Sequence, residues 1–345
     1  MIPHNNLSHW VAGEGPENDI VISSRIRLAR NIEKLPYPNQ AKDDFLKKAM
    51  DRIRDTAAED NNLGLHFIDM NELSKFEKSI LVEKHLISPS HAKGGLHKGT
   101  LLNDKENTSI MVNEEDHLRM QVILPGMQLG KTCQRANEID DIFEEKINFA
   151  FSKRWGYLSA CPTNMGTGMR ASVMVHLPAL NITNNIEKML GAVSQLGLAV
   201  RGIYGEGSES AGNIYQISNQ ITLGHTEQDI IENINSVSTQ IIEQERQARK
   251  RLLENQEIEV IDRIKRSFGA LKYAHIISNN EALELLSNVR LGIDMEIIEK
   301  VDSSVLGELM VLIRPAHLQK FEGKELSPKE TNIKRAKLIR KKFKI

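Results

Sequence analysis

The chain has 345 residues, 45 Lys and Arg against 46 Asp and Glu, 40% hydrophobic side chains and two cysteines. That length accommodates one large domain plus a smaller one, the near-zero net charge gives no global field toward nucleic acid or anionic membrane, and Cys133 and Cys161 are too few for a disulfide framework. The polar opening MIPHNNLSHWVAGEGPEND carries no apolar signal core, and Pro or charge breaks the apolar runs short of a membrane span, so a cytoplasmic protein is expected.

In chain order, IVISSRIRLAR (20–30) alternates with period two and predicts a strand with Arg25 and Arg27 on one face. Residues 41–58 predict a helix, with Phe45, Leu46, Ala49, Met50 and Ile53 near the 3.6 period. TSIMVNEEDHLRMQVIL (108–124) predicts two strands flanking a charged turn, and IDDIFEEKINFAFSKRWG (139–156) an amphipathic helix ended by Gly156. Strands near 157–160 and 171–177 bracket the glycine-studded loop CPTNMGTGMR. GEGSESAG (205–212) separates two further strands, LAVRGIY and NIYQISNQ. Thr226 then caps a long helix in a near capping box, TEQD, with Ile230, Ile231, Ile234, Val237, Ile241 and Ile242 as its stripe. Beyond the charged stretch that starts at Arg246 everything scans as helix, with turn signals at Gly269, Ser278–Asn280 and Gly292. Strands joined by short loops predict an α+β fold, a mainly antiparallel sheet flanked by helices, over 1–250, and an all-helical region over 255–345.

Four segments beside predicted strands share arginines and carboxylates among Gly, Ser and Asn: Arg25 and Arg27; Glu114, Glu115, Asp116 and Arg119; Cys161 and Arg170; Arg201 and Glu206. Read as loops at one sheet edge, they converge on a single site. Five arginines suit a triphosphate of about four negative charges, because the guanidinium fork meets phosphate oxygens in pairs. There is no GxxxxGK[ST] and no HRD or DFG element, so neither a P-loop enzyme nor a protein kinase of the usual kind is indicated.

SSRIR, NEEDHLR, CPTNMGTGMRAS and VRGIYGEGSESAGNIYQISN resemble, in order, the signature segments of the guanidino phosphotransferases, the creatine and arginine kinases; the likeness spans residues 20–225. The resemblance implies ATP and Mg2+ as cofactors, with the metal held mainly through the phosphates. Arg25, Arg27, Arg119, Arg170 and Arg201 match the phosphate-binding arginines, Glu115 the carboxylate that grips the guanidinium, and Glu206 a second carboxylate on a closing loop. Cys161 matches the active-site cysteine, expected as a thiolate beside the guanidinium rather than an attacking nucleophile, and His85 a histidine near adenine. The loop glycines are expected to let backbone approach ATP. Cys133, with no motif around it, reads as inert.

Two features depart from the creatine and arginine kinases. SSRIR begins at Ser23, leaving no room for the amino-terminal domain that closes over their small substrate, and an open site suits a polymeric one. The extra mass lies after residue 250. This combination resembles the bacterial protein-arginine kinases, which implies protein substrates with exposed arginines, an activator McsA, the protease ClpC–ClpP, the heat-shock repressor CtsR and a role in stress response and protein quality control. A free-arginine kinase and a non-catalytic adaptor are the alternatives. That group often carries RDxxRA near its carboxyl end as a phosphoarginine pocket; here the stretch is TNIKRA, with Thr331 and Asn332 in the leading positions. The tail PKETNIKRAKLIRKKFKI, eight Lys or Arg against one Glu, reads as a solvated helix end or frayed terminus ahead of a docking patch, and no direct nucleic-acid binding is expected. The apolar content of ALELLSNVRLGIDM and LGELMVLIRPAHLQ predicts exposed faces and a homodimer.

Overall fold

The computed structural model describes residues 7–11, 14–60, 63–202, 211–299, 301 and 303–343. Strands β1 (Val21–Arg30), β2 (Leu65–Asp69), β3 (Gly99–Asn103), β4 (Thr108–Val112), β5 (Leu118–Pro125), β8 (Met169–His176), β9 (Leu198–Gly202) and β10 (Ile214–Asn219) form one sheet in the order β2-β3-β4-β5-β1-β8-β10-β9. Its ladders are all antiparallel, as the alternation predicts. The short strands β6 (Phe151–Ser152) and β7 (Gly156–Tyr157) pair apart from it.

Period two divides the sheet into unlike faces. Ile26 and Leu28 on β1, Met120 and Val122 on β5, Ala171 and Val173 on β8 and Ile217 on β10 are all buried in the main core. Helix α4 (Leu129–Glu144) packs on β1 and β5, and α7 (Glu227–Asn255) on β8 and β10. The α7 stripe from Ile230 to Ile242 is buried as expected, and Thr226 with Asp229 completes a capping box. Helix α1 (Asp43–Glu59) follows the expected 41–58 segment closely.

The helix expected over 139–156 instead starts at Leu129 and stops at Glu144. Its buried stripe is Leu129, Thr132, Cys133, Ala136, Ile139, Asp140 and Phe143, and the chain beyond turns extended where Ala150 N–H donates to the Asn31 carbonyl at 2.7 Å. Gly156 therefore ends no helix. At φ 72° it lies against Gly166, whose carbonyl oxygen would stand 2.3 Å from an added Cβ. The strand expected over 157–160 shrinks to Gly156–Tyr157.

Helices α2 (Lys75–Glu83) and α3 (Pro89–Ala92) lie between β2 and β3 in the chain, and α5 (Pro178–Ile182) and α6 (Ile186–Gln195) between β8 and β9. After α7 come α8 (Glu257–Tyr273), α9 (Asn279–Asp294), α10 (Ser303–Leu312), α11 (Pro315–Glu322) and α12 (Pro328–Lys342). Gly269 and Gly292 mark no turns but lie inside α8 and α9; a Cβ on Gly292 would sit 2.4 Å from Ile264, so glycine there permits close helix packing. Ser278 does mark a boundary, capping α9 through a capping box with Glu281.

The apolar side chains that predicted exposed faces are interior: Leu283, Leu286, Val289, Leu291, Leu306 and Leu309 are buried within the chain's own core. Helix α9 packs on α5, α8 and α10 of the same chain, so burying these side chains requires no second copy. The basic tail is likewise neither free nor frayed through Lys342. Lys334 pairs with Glu322 and Lys342 with Glu308, Arg340 donates to the Ala274 carbonyl, and Arg335 is buried.

Glu83, at the end of α2, fastens α11 to the sheet side. Its carboxylate accepts from Ala316 N–H at 2.8 Å and His317 N–H at 3.1 Å and lies 2.7 Å from His317 Nδ1. It thus satisfies orphan amides at the helix start and places negative charge there. Glu83→Ala is expected to lower unfolding stability by about 2 kcal/mol, read as a reduced urea midpoint.

Candidate functional site

Strand register gathers the arginines. Arg25 and Arg27 share a face of β1, opposite in sense to Ile26 and Leu28. Arg27 stands opposite Arg170 on β8 and Gln121 on β5, and Arg119 lies two residues along β5 on the same face. Arg25 stands opposite Ser172; Gln216, two residues from Ser172's partner Ser218 on β10, stands opposite Arg201 on β9. One face of strands β5-β1-β8-β10-β9 therefore carries all five arginines. Arg25, Arg27 and Arg201 lie in the strands expected for them, and Arg119 and Arg170 also belong to strands, so the row is set by register rather than by loops converging at a sheet edge. Arg30, of the other parity, faces away: it is buried on Asp140 at 2.5 Å and lies 3.5 Å from the centre of the Tyr157 ring.

Neutral or acidic neighbours hold the row in place. Arg25 donates to Gln216 Oε1 at 2.5 Å and Ser172 Oγ at 3.3 Å, and Arg170 to Ser218 Oγ at 3.1 Å. Arg119 pairs with Glu114 at 2.9 Å, whose other oxygen accepts from Ser88 Oγ at 2.7 Å. Burial opposes ionisation of Glu114, but Arg119, the Ser88 hydroxyl and the Glu115 amide together hold its carboxyl below the usual range. The cations lack equal compensation. Burial, then Arg119 and Arg170, pushes Arg25 down to about 10, and burial, then Arg25, Arg119 and Arg170, holds Arg27 well below the usual range. Such a row favours the arrival of an anion.

The row floors a cleft of about 660 Å³, within the range of small-molecule sites. Arg25, Arg27, His85, Arg119, Arg170 and Arg201 all line it, so the six residues expected at the nucleotide come together. His85 follows α2 in left-handed backbone (φ 58°), its ring set edge-on to Trp10 with centroids 5.5 Å apart. Burial, then Arg314 and Arg25, holds its imidazole well below the usual range, so it is neutral at physiological pH. Among the described residues, Arg27 Nε and His85 Nε2 are buried without a hydrogen-bond partner. Unmet polar atoms beside a cationic row fit a bound nucleotide.

Glu115 and Cys161 lie outside that lining, on two loops tied together by Asp116. Asp116 Oδ1 accepts from Asn31 Nδ2 at 2.6 Å and Ala160 N–H at 2.7 Å, joining the NEED turn to the residue before Cys161. Glu115 is exposed, but partial desolvation, then Asp116, outweighs Arg119 and raises its carboxyl, which makes it a better proton acceptor. Cys161 is half-buried with its sulfur 3.0 Å from Thr163 Oγ1. Cys133 is buried, and burial followed by Glu227 pushes its thiol up to about 11, in keeping with an inert role. Glu206 lies outside the described residues.

The glycine loop serves packing more than the expected approach of backbone to nucleotide. A Cβ on Gly168 (φ 66°) would sit 2.7 Å from the Ala29 carbonyl, and one on Gly166 (φ 107°) 2.7 Å from that of Thr222. Sequence reasoning missed the anchors Gln216, Ser172 and Ser218, although strand parity could have found them. It also missed the cleft residues Asn279, Asn280 and Arg314, which no local signal connects to the arginine motifs.

Two outcomes follow from this geometry. Arg27→Met removes a half-buried, like-charge-crowded cation and is expected to raise stability of the ligand-free chain by about 1 kcal/mol while abolishing nucleotide binding, read by calorimetry and titration. Alkylation at pH 8 with mass mapping is expected to label Cys161 on the native chain and leave Cys133 untouched until denaturant is added.

Comparison with known proteins agrees with this geometry. The model of the ATP:guanido phosphotransferase C-terminal catalytic domain matches residues 45–248, and that of the protein-arginine kinase McsB C-terminal domain matches 257–345. The chain is 65% identical to the protein-arginine kinase of Halothermothrix orenii over 98% of its own length and 97% of the relative's. It is 49% identical to that of Bacillus subtilis over 98% and 93%. Among solved structures it resembles a lombricine kinase, with TM-score 0.60, 25% identity and 71% of each chain covered. The arginine-floored sheet, the two matched segments and the near-full-length relatives agree on one assignment: this chain belongs to the ATP:guanido phosphotransferase family, in its protein-arginine kinase branch.

Proposed function

We propose that the chain transfers the γ-phosphoryl group of Mg-ATP to the guanidinium of arginine side chains in proteins. The observation that carries this reading is the row of five arginines set by register across one sheet face, together with relatives that bear the name protein-arginine kinase over nearly their whole length. Bound ATP supplies the phosphoryl group, and Mg2+ travels on its phosphates.

The chain's own residues do the rest. Arg25, Arg27, Arg119, Arg170 and Arg201 fix the polyphosphate and neutralise it, and phosphoryl transfer depends chiefly on such positioning. The acceptor guanidinium is protonated and must lose a proton as its N–P bond forms and the bond to the leaving ADP oxygen breaks. Glu115, with its raised carboxyl, orients that group and accepts the proton. Glu206, by resemblance, is the second carboxylate, and Cys161 sits beside the guanidinium. Asp116 positions both loops.

The division into a catalytic part over 1–250 and a regulatory helical part over 255–345 rests on the change of composition and on the resemblance. So do an activator McsA, delivery of marked proteins to ClpC–ClpP, action on the CtsR repressor in stress response, and a cytoplasmic setting. No described helix is long and apolar enough to cross a membrane. Homodimerisation through the helical part draws support from the exposed side chains Tyr273, Ile276 and Ile333 and not from the interior faces of α9 and α10.

Phosphorus NMR at alkaline pH tests the reading, with Mg-ATP and either an unfolded arginine-rich protein or free arginine. A phosphoramidate signal on the protein alone, lost in Glu115→Gln by at least about a hundredfold in rate, is expected. Signal on free arginine alone would make this a small-molecule kinase, and silence in both arms with activator present would leave an adaptor. Because the Glu115 carboxyl is raised, initial rates of the wild-type chain are expected to fall on acidification at a pH above the ordinary carboxylate range.

A further inference from the structure

The cleft has a second wall. Besides the arginine row, the cleft is lined by Asn279 and Asn280, at the start of α9, and by Arg314 and Pro315, at the start of α11, all from the helices after α7. Arg314 is 5% exposed, and its Nε donates to the Met310 carbonyl at 3.0 Å. The first amides of α11 are already taken by Glu83, and beside them Arg314 lines the cleft. It does so together with Arg25 and His85.

One buried side chain fixes both segments of this wall. Arg335, 1% exposed, donates Nε to the Ile313 carbonyl at 2.8 Å and Nη1 to the Ile277 carbonyl at 3.0 Å, with Asn332 Oδ1 accepting from Nη1 at 2.6 Å. Ile313 directly precedes Arg314, and Ile277 directly precedes the Ser278 cap of α9. Arg335 is thus a positioning residue for the wall. Asn279 Oδ1 is buried and, among the described residues, without a partner, so the wall also brings an unmet polar atom to the cleft.

We propose that Arg314 binds the polyphosphate of the nucleotide, a sixth cation that the helical region adds to the five on the sheet. This rests on the nucleotide-binding reading above. It makes the helical region part of the nucleotide site, so that any partner or modification shifting α11 changes affinity for ATP directly.

The test is equilibrium binding of Mg-ATP and of inorganic tripolyphosphate to the full chain, comparing wild type, Arg314→Gln and Arg314→Lys, with circular dichroism confirming each fold. Arg314→Gln is expected to weaken both ligands about tenfold, and Arg314→Lys, which keeps the charge but not the fork, to recover part of that loss. Should Arg314→Gln fail to fold, Arg314→Lys carries the test alone, with an expected loss of at least about threefold for both ligands. Unchanged affinity for both ligands in the folded variants overturns the proposal. A loss confined to ATP also overturns it, because that outcome assigns Arg314 to the nucleoside. Failure of wild type to bind either ligand instead overturns the nucleotide reading on which the proposal stands.

Discussion

Everything in this fold that bears on function depends on the antiparallel pairing of Val21–Arg30 with its two neighbours. That pairing sets Arg27 opposite Arg170 on one side and beside Arg119 on the other, and it does so without any loop having to close. Five like charges on one sheet face are costly in isolation. The fold offsets part of that cost with the Glu114 carboxylate and with the oxygens of Gln216, Ser172 and Ser218, and leaves the remainder for a polyanion. The apolar face of the same strands, packed on α4 and α7, supplies the rigidity that keeps the charges together.

Much of this was legible in the chain, for identifiable reasons. A strand's period of two is visible in SSRIR, so the shared face of Arg25 and Arg27 could be read directly. The Thr226 cap and its isoleucine stripe are local signals and were equally plain. The segments around Arg119 and Arg170 read as loop because charge beside glycine or in an acidic turn reads as loop, whereas these side chains belong to strands with one wet face. The 139–156 segment departs for a related reason: Phe149 and Ala150 continue the apolar periodicity, but tertiary pairing takes the backbone there, Ala150 N–H donating to the Asn31 carbonyl and the Asn148 carbonyl accepting from Glu33 N–H. The interior burial of α9 and α10 was illegible because it depends on contacts with distant parts of the chain.

The helical region emerges as more than an appendage. Glu83 ties α11 to the end of α2, and Arg335 holds the turns before α9 and α11, so this wall of the cleft is set by side chains far away in sequence. Asn332 helps to hold Arg335. Catalytic sheet and helical region thus share one cleft, which gives a physical route by which events on the helices could alter phosphoryl transfer.

The central claim is that crowded arginines on the sheet face await a polyanion, and thermal unfolding of the wild-type chain with and without Mg-ATP at low and high salt tests it most directly. The account predicts a marked rise in melting temperature on adding Mg-ATP at low salt, shrinking as salt screens the row and itself stabilises the ligand-free chain. A melting temperature that millimolar Mg-ATP leaves unchanged at low salt would show that the row does not bind it, contradicting the account.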